Sequence, residues 1–148
     1  MKKLSALRLA MFQAGINVYI IPLADNHLQE YVPAHWNIVR WLTGFTGSAG
    51  ILAITADRAE LWTDSRYLIQ AENELSGSGF TLAASSSFRG KNSIDWLESL
   101  IAGKSMVGFD GRIVSVNFYR NLHKRLVYKN VSFVDDADLI GGIWKDRP

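Results

Sequence analysis

The apolar residues of the chain recur at helical spacing in some segments and at strand spacing in others. Helical spacing at the start predicts an amphipathic helix that Gly15 closes, with its apolar positions at Leu4, Leu7, Leu9, Met11 and Phe12. The run 18–23 is apolar and partly β-branched, which predicts a buried strand. Residues 24–36 are polar and aromatic and include Pro33, so a loop with short helical turns is expected.

The middle of the chain predicts a β-hairpin that leads into a helix. Two short strand patterns, 51–55 and 59–62, flank a polar turn. Thr63-Asp64-Ser65 then supplies side chains that cap helices, and apolar residues follow at helical spacing as far as the glycine and serine residues at 77–79.

Strands and helices continue to alternate in the second half. Strands are predicted at 80–84, 106–109 and 131–134, and helices are predicted to begin with caps at Ser93 and Ser115. This alternation predicts an α/β fold in a single domain. Its sheet is expected to be mixed, mostly parallel with an antiparallel hairpin, and flanked by helices on both faces.

Composition and charge exclude several classes of function. The chain has 148 residues, a formal net charge of +2 and no cysteine, which excludes disulfide frameworks and thiolate chemistry and favours the cytoplasm. Its basic residues are dispersed, so no nucleic-acid partner is predicted. No apolar run reaches the roughly 20 residues that a membrane-spanning helix needs, so no membrane association is predicted.

One polar cluster could hold a divalent cation. Asp25, His27, Glu30 and His35 are close in sequence and carry oxygen and imidazole ligands. Their spacing is loose, and Pro33 separates the second histidine from any continuous helix. A small metal-dependent hydrolase therefore stays open beside the simpler interpretation of a surface loop.

A glycine-rich turn precedes the hairpin. Gly44, Gly47 and Gly50 resemble a phosphate-binding loop only superficially, because a strand follows them and no Gly-Lys-Ser/Thr ending is present. The pattern instead predicts a backbone that passes close to the packed aromatic side chains of Trp41 and Phe45.

Two pairs of arginine and aromatic residues are candidate ligand contacts. Arg66 is followed by Tyr67, and Trp36 lies near Arg40, so either arginine could clamp a carboxylate beside an aromatic wall. The alternative is internal pairing with an aspartate such as Asp64.

Four segments together resemble the N-terminal domain of aminopeptidase P, within the creatinase, prolidase and aminopeptidase P group of metallopeptidases. Residues 25–31 resemble its Asp-x-His-x-x-Glu-Tyr segment, and 41–50 resemble its Gly-Phe-x-Gly-Ser-Ala-Gly turn. Residues 61–67 are similar to its Trp-Thr-Asp-Gly-Arg-Tyr element, with Ser65 in place of glycine. Residues 143–148 resemble the Trp-x-Asp-Arg-Pro segment through which longer members leave this domain.

The resemblance implies a domain without the family's catalytic machinery. It assigns 1–140 to the N-terminal domain and 141–148 to an exit segment towards a catalytic domain that this sequence lacks. In the family, two divalent cations, commonly manganese, are held by two aspartates, a histidine and two glutamates of that catalytic domain. None of those ligands can be assigned here, so no cofactor is expected in this chain. The parent would hydrolyse the bond between an N-terminal residue and proline.

The resemblance also implies a role in assembly and in covering the active-site cleft. The expected partners are the parent's own C-terminal catalytic domain, a second subunit in a homo-oligomer, and a peptide with proline at its second position. The residues expected to contact substrate or cap the cleft are His27, Trp36, Phe45, Arg66 and Tyr67. A free-standing interaction module with the same fold remains an alternative.

Overall fold

The computed structural model describes residues 2–28, 31–87 and 92–148. The helices are α1 (Lys2–Ala14), α2 (Ile38–Thr43), α3 (Leu68–Glu74), α4 (Ser93–Leu100), α5 (Val116–Leu126) and α6 (Leu139–Ile143). The strands are β1 (Val18–Pro22), β2 (Ile51–Ile54), β3 (Ala59–Trp62), β4 (Thr81–Leu82), β5 (Met106–Gly108) and β6 (Ser132–Val134).

The six strands form one mixed sheet in the order β4-β3-β2-β1-β5-β6. β2 is antiparallel to both of its neighbours, whereas β3 with β4, β1 with β5, and β5 with β6 are parallel pairs. Five strands therefore point one way and β2 runs against them. The predicted α/β fold with a mostly parallel sheet and one antiparallel hairpin is confirmed.

Helices cover both faces of the sheet, as predicted. Alternate residues of β1 face opposite sides, with Tyr19 and Ile21 in one core and Val18 and Ile20 in the other. α1, α2, α3 and α6 pack on the first face, and α4 and α5 pack on the second. Each face thus encloses its own apolar core.

Several predicted element ends agree with the structure, and others were wrong in detail. Gly15 follows α1 with a φ of 70°, as expected for a left-handed helix end. Leu9 and Phe12 were expected on the apolar face of α1 but are exposed. Ser115 caps α5 as predicted, but α4 is capped by Asn92 rather than Ser93, because the Asn92 side chain and Asp95 form a reciprocal capping box.

Two short helices were absent from the sequence prediction. α2 begins after Asn37, whose side chain accepts a hydrogen bond from the backbone N–H of Arg40, and it ends at Gly44 with a φ of 81°. α6 begins after Asp138 and buries Ile140, so part of the expected exit segment is folded onto the domain. Among the described residues, no helix is long and apolar enough to cross a bilayer.

Candidate functional site

The segments that carry the sequence motifs converge on one edge of the sheet, which we call the carboxyl edge. It contains the residues that follow the carboxyl ends of β1, β3, β4, β5 and β6, together with the glycine turn that enters β2. Ligands of open α/β sheets bind at this kind of edge, beside the point where the strand order reverses. That point lies here between β1 and β5, because the chain runs outward from β1 on one side and from β5 on the other.

The loop after β1 is organised around Asp25. Asp25 is buried, and its Oδ1 accepts a hydrogen bond of 2.9 Å from the backbone N–H of His27. The side chain of His27 is exposed at the carboxyl edge. This short turn therefore presents His27 to solvent.

The proposed metal ligands do not assemble in the described part of the chain. Glu30 lies outside the described residues. Nδ1 of His35 contacts the carbonyl oxygen of Pro148, and no group of three histidine, aspartate or glutamate side chains able to hold a metal occurs in 2–28, 31–87 and 92–148. The described residues do not fit a divalent cation.

Two arginines lie against the ring of Trp36. The guanidinium carbons of Arg112 and Arg147 are 5.0 and 5.2 Å from the centre of the Trp36 ring. Cations at this distance are attracted to an indole face. The sequence had placed Arg40 near Trp36, whereas Arg112 and Arg147, which the structure places there, were missed.

Two aspartates hold these arginines in position. The Arg112 guanidinium donates hydrogen bonds to both carboxylate oxygens of Asp110, at 3.0 and 2.7 Å, and another of 2.8 Å to Asp138. Burial alone would raise the pKa of Asp110, but the hydrogen bonds and charge of Arg112 bring that pKa below its ordinary value. Asp110 is therefore a buried carboxylate kept ionised by its arginine partner.

A second stack continues from Trp36 towards the N-terminus. Arg147 also lies over the ring of Trp144, which stacks on Trp41 with 4.8 Å between ring centroids. Lys3 covers Trp41 and donates a 2.7 Å hydrogen bond to its carbonyl oxygen. The last residues of the chain are thus fixed against the domain.

Phe45 organises the glycine turn from inside the core. It is 1% exposed, and a Cβ on Gly47 would lie 2.3 Å from Cζ at the tip of its ring, so the backbone passes very close to the ring. The expected close approach of this turn to Phe45 is confirmed. A buried Phe45 can influence a ligand only through its neighbours.

Tyr67 is the neighbour that connects this turn to the surface. Its ring meets Phe45 edge-on at 6.0 Å, and its hydroxyl contacts the hydroxyl of Ser48. Tyr67 is half-buried, so part of its ring remains accessible. The turn and the segment after β3 therefore form one unit.

Arg66 is paired internally, as the more conservative sequence interpretation held. Its Nε and Nη2 donate hydrogen bonds of 3.1 and 2.8 Å to the two oxygens of Asp64. The side-chain hydrogen bond from Arg66 is the main cause that lowers the pKa of Asp64. Arg66 also lies 5.0 Å from the centre of the Tyr67 ring and remains exposed.

The site candidates therefore separate into two groups along the carboxyl edge. One surrounds Trp36, beside β1 and β5, and the other surrounds Phe45 and Tyr67, beside β2 and β3. One feature of the sequence could have predicted an ion pair in the first group. Asp110-Gly-Arg112 repeats the spacing of Asp64-Ser-Arg66, and both form the same forked pair.

Comparison with known proteins identifies the family. The Creatinase/Prolidase N-terminal domain profile matches residues 3–142. The chain belongs to this family. The predicted resemblance to the N-terminal domain of aminopeptidase P is confirmed.

Relatives of this creatinase/prolidase N-terminal domain are much longer proteins. Aminopeptidase P2 of Arabidopsis thaliana is 34% identical over 152 residues, which cover 99% of this chain and 21% of that protein. Human Xaa-Pro aminopeptidase 2 is 33% identical, over 98% of this chain and 21% of its own length. The chain thus spans about a fifth of these curated relatives.

Solved structures agree with the fold. An X-prolyl aminopeptidase from Caenorhabditis elegans, described as a cytosolic enzyme with a di-nuclear active site, superposes with a TM-score of 0.88 at 29% identity. It matches 99% of this chain and 26% of its own. The N-terminal domain of a cytoplasmic peptidase from Mycobacterium tuberculosis has a TM-score of 0.69 at 24% identity, covers 95% of this chain and 97% of its own, and supports the fold alone.

Proposed function

We propose that this domain is the non-catalytic N-terminal part of a Xaa-Pro aminopeptidase. The parent hydrolyses the bond between an N-terminal residue and proline. The observation that carries this proposal is the match to Arabidopsis aminopeptidase P2, which uses 99% of this chain but only 21% of the relative. The remaining four-fifths of such a protein has room for a separate catalytic domain.

The side chains available as metal ligands also support placing catalysis in a separate domain. The described residues bring no metal-binding group of histidine and carboxylate side chains together. We therefore assign two-metal hydrolysis, with manganese as the metal, to the catalytic domain of the parent. In this proposal residues 1–140 form the N-terminal domain, and 141–148 lead towards the next one.

The carboxyl edge is the part of this domain that we assign to capping the active-site cleft. His27 and Arg66 are exposed there, and Trp36 and Tyr67 are half-buried with accessible ring surface. Phe45 acts as a positioning residue, since it is buried beneath Tyr67. The parent is a cytoplasmic homo-oligomer in which this edge, or that of a second subunit, contacts a peptide with proline at its second position.

The decisive experiment compares this chain with the protein encoded by the full reading frame. Hydrolysis of a Xaa-Pro peptide is measured for each at equal concentration with added manganese. Activity only in the longer protein is the expected result. Hydrolysis by the 148-residue chain at a comparable rate would overturn the proposal and favour the small metal-dependent hydrolase.

Variants of the full-length protein test the role of the carboxyl edge. Tyr67→Ala removes an accessible ring next to Arg66, and Phe12→Ala removes an exposed ring at the opposite end of the domain. We expect the first to raise KM for the peptide and the second to leave KM unchanged. Equal kinetics for both variants would reject cleft capping by Tyr67.

A further inference from the structure

The side chain of Arg147 is almost buried, although its neighbours along the chain are exposed. Its side chain is only 9% exposed and lies over the rings of Trp36 and Trp144. Its Nε donates a 2.7 Å hydrogen bond to the carbonyl oxygen of His35, and its Nη1 is 3.7 Å from a carboxylate oxygen of Asp138. The guanidinium is therefore held firmly in one place.

One donor group of this guanidinium has no acceptor. Nη2 of Arg147 is enclosed by protein, and the described part of the chain supplies it with no hydrogen-bond partner. Native proteins pair nearly all of their buried donors, so an unpaired one indicates that an acceptor comes from elsewhere. Attraction to the two indole faces acts on the guanidinium as a whole and supplies no acceptor to Nη2.

The charges around Arg147 indicate which kind of acceptor fits. Two arginines, Arg112 and Arg147, lie beside two aspartates, Asp110 and Asp138, so the cluster has no net charge. An added carboxylate would leave an excess negative charge here. A neutral carbonyl oxygen can accept the hydrogen bond without disturbing the balance.

The position of Pro148 indicates where that oxygen comes from. The carbonyl oxygen of Pro148 contacts Nδ1 of His35, so the last residue lies on the loop that also carries Trp36. In the proposed parent, the polypeptide continues from this place. Its first peptide groups follow Arg147 closely in sequence, and a small shift of the last residues that cover Nη2 is enough to bring one of them to this donor.

We propose that His35, Trp36, Arg112 and Arg147 form an exit face on which the polypeptide following Pro148 docks. That polypeptide gives a carbonyl oxygen to Nη2 of Arg147 and covers the accessible part of the Trp36 ring. The inference rests on the proposed function, because it requires a parent protein in which further chain follows this domain. Arginine and tryptophan are the side chains that most often anchor interfaces.

Amide hydrogen exchange tests the exit face without relying on activity. Exchange is compared between the 148-residue chain and the full-length parent, for peptides that span 31–36 and 109–113. We expect these peptides to exchange at least about 10-fold more slowly in the parent, whereas the turn at 55–58 exchanges equally in both. Equal exchange at 31–36 would overturn the proposal.

A matched pair of variants tests the donor itself. Arg147→Lys in the parent keeps the charge but removes Nη2 together with the Nε donor to His35, so the same variant of the 148-residue chain is measured as well, to give the effect of losing the Nε bond alone. Arg58→Lys makes the same change at an exposed arginine that pairs with Glu60. We expect only Arg147→Lys to speed exchange at 31–36 towards the rate of the 148-residue chain. Equal exchange at 31–36 in the two variants would show that Arg147 does not belong to the interface.

The outcomes also separate this inference from the proposed function. A parent that protects 31–36 but does not hydrolyse Xaa-Pro peptides would refute the function and retain the exit face. A parent that hydrolyses Xaa-Pro peptides without protecting 31–36 would retain the proposed function and refute the exit face. Protection of 31–36 in the 148-residue chain alone, rising with its concentration, would assign the face to a second copy and overturn the proposal.

Discussion

Replacing Phe45 with alanine tests whether this residue belongs to the core or to the surface of the site. Phe45 is 1% exposed, and its ring touches Tyr67 on one side and the glycine turn on another. Truncating a fully buried phenylalanine removes its burial energy and leaves a cavity, at a cost of about 3–5 kcal/mol. The backbone that passes close to the ring tip at Gly47 belongs to a short turn and cannot fully collapse into the space.

Urea denaturation of the 148-residue chain provides the measurement. The free energy of unfolding of a domain of this size is about 5–15 kcal/mol. Phe45→Ala is therefore expected to lower the urea concentration at the unfolding midpoint by a large fraction, while the dependence of the free energy on urea stays unchanged. Phe12→Ala is the control, because Phe12 is 83% exposed and its loss should change stability by no more than about 0.5 kcal/mol. Similar midpoints for the two variants would refute the assignment of Phe45 to the core.

Three further predictions follow from single contacts. Gly47→Ala should destabilise the chain by about 1–3 kcal/mol in thermal or urea melts, because its Cβ would lie 2.3 Å from a buried ring, whereas Gly142→Ala has open space and should not. The pKa of Asp64 is lower in the folded than in the unfolded chain, so its contribution to stability is present above about pH 4 and is lost as the pH falls further. Asp64→Asn should therefore flatten the acid limb of a stability-versus-pH curve, and an unchanged limb would contradict the pairing. Tyr19→Phe should cost about 1–3 kcal/mol in the same melts, because the buried hydroxyl donates to the carbonyl of Ala137 and accepts from the N–H of Leu139; a melt like that of the wild type would mean that water replaces the hydroxyl.

Most of the fold could be predicted because its elements have clear local signals. α1 and α5 show helical spacing together with a glycine end or a serine cap, and β1 is a short apolar run. α2 and α6 have capping residues, Asn37 and Asp138, but with six and five residues they are too short to show helical spacing, and their stability comes from packing on the sheet. β4 was expected over 80–84, but only Thr81 and Leu82 pair with β3 before the chain turns.

The site was harder to predict because its contacts join distant parts of the sequence. The pairing of Arg66 with Asp64 was among the alternatives, since a single residue separates them and local geometry decides the outcome. Arg112 and Arg147 were missed as partners of Trp36, because they meet it only after β5, β6 and α6 have assembled. Sequence spacing carries no information about such contacts.

The dependence of the exit face on the whole fold has a consequence for how the domain could communicate with a following one. Arg147 reaches Trp36 only when α6 is docked, and α6 is docked partly through Leu139, whose backbone N–H donates a hydrogen bond to Tyr19 in the central strand. The hydroxyl of Tyr19 is buried, and burial raises its pKa well above the ordinary value, so it stays protonated at any physiological pH. The link from the centre of the sheet to the exit face therefore does not respond to pH in the physiological range. A chain leaving at Pro148 would then leave in a fixed direction, which is what a domain needs if it is to hold its carboxyl edge over a neighbouring active site.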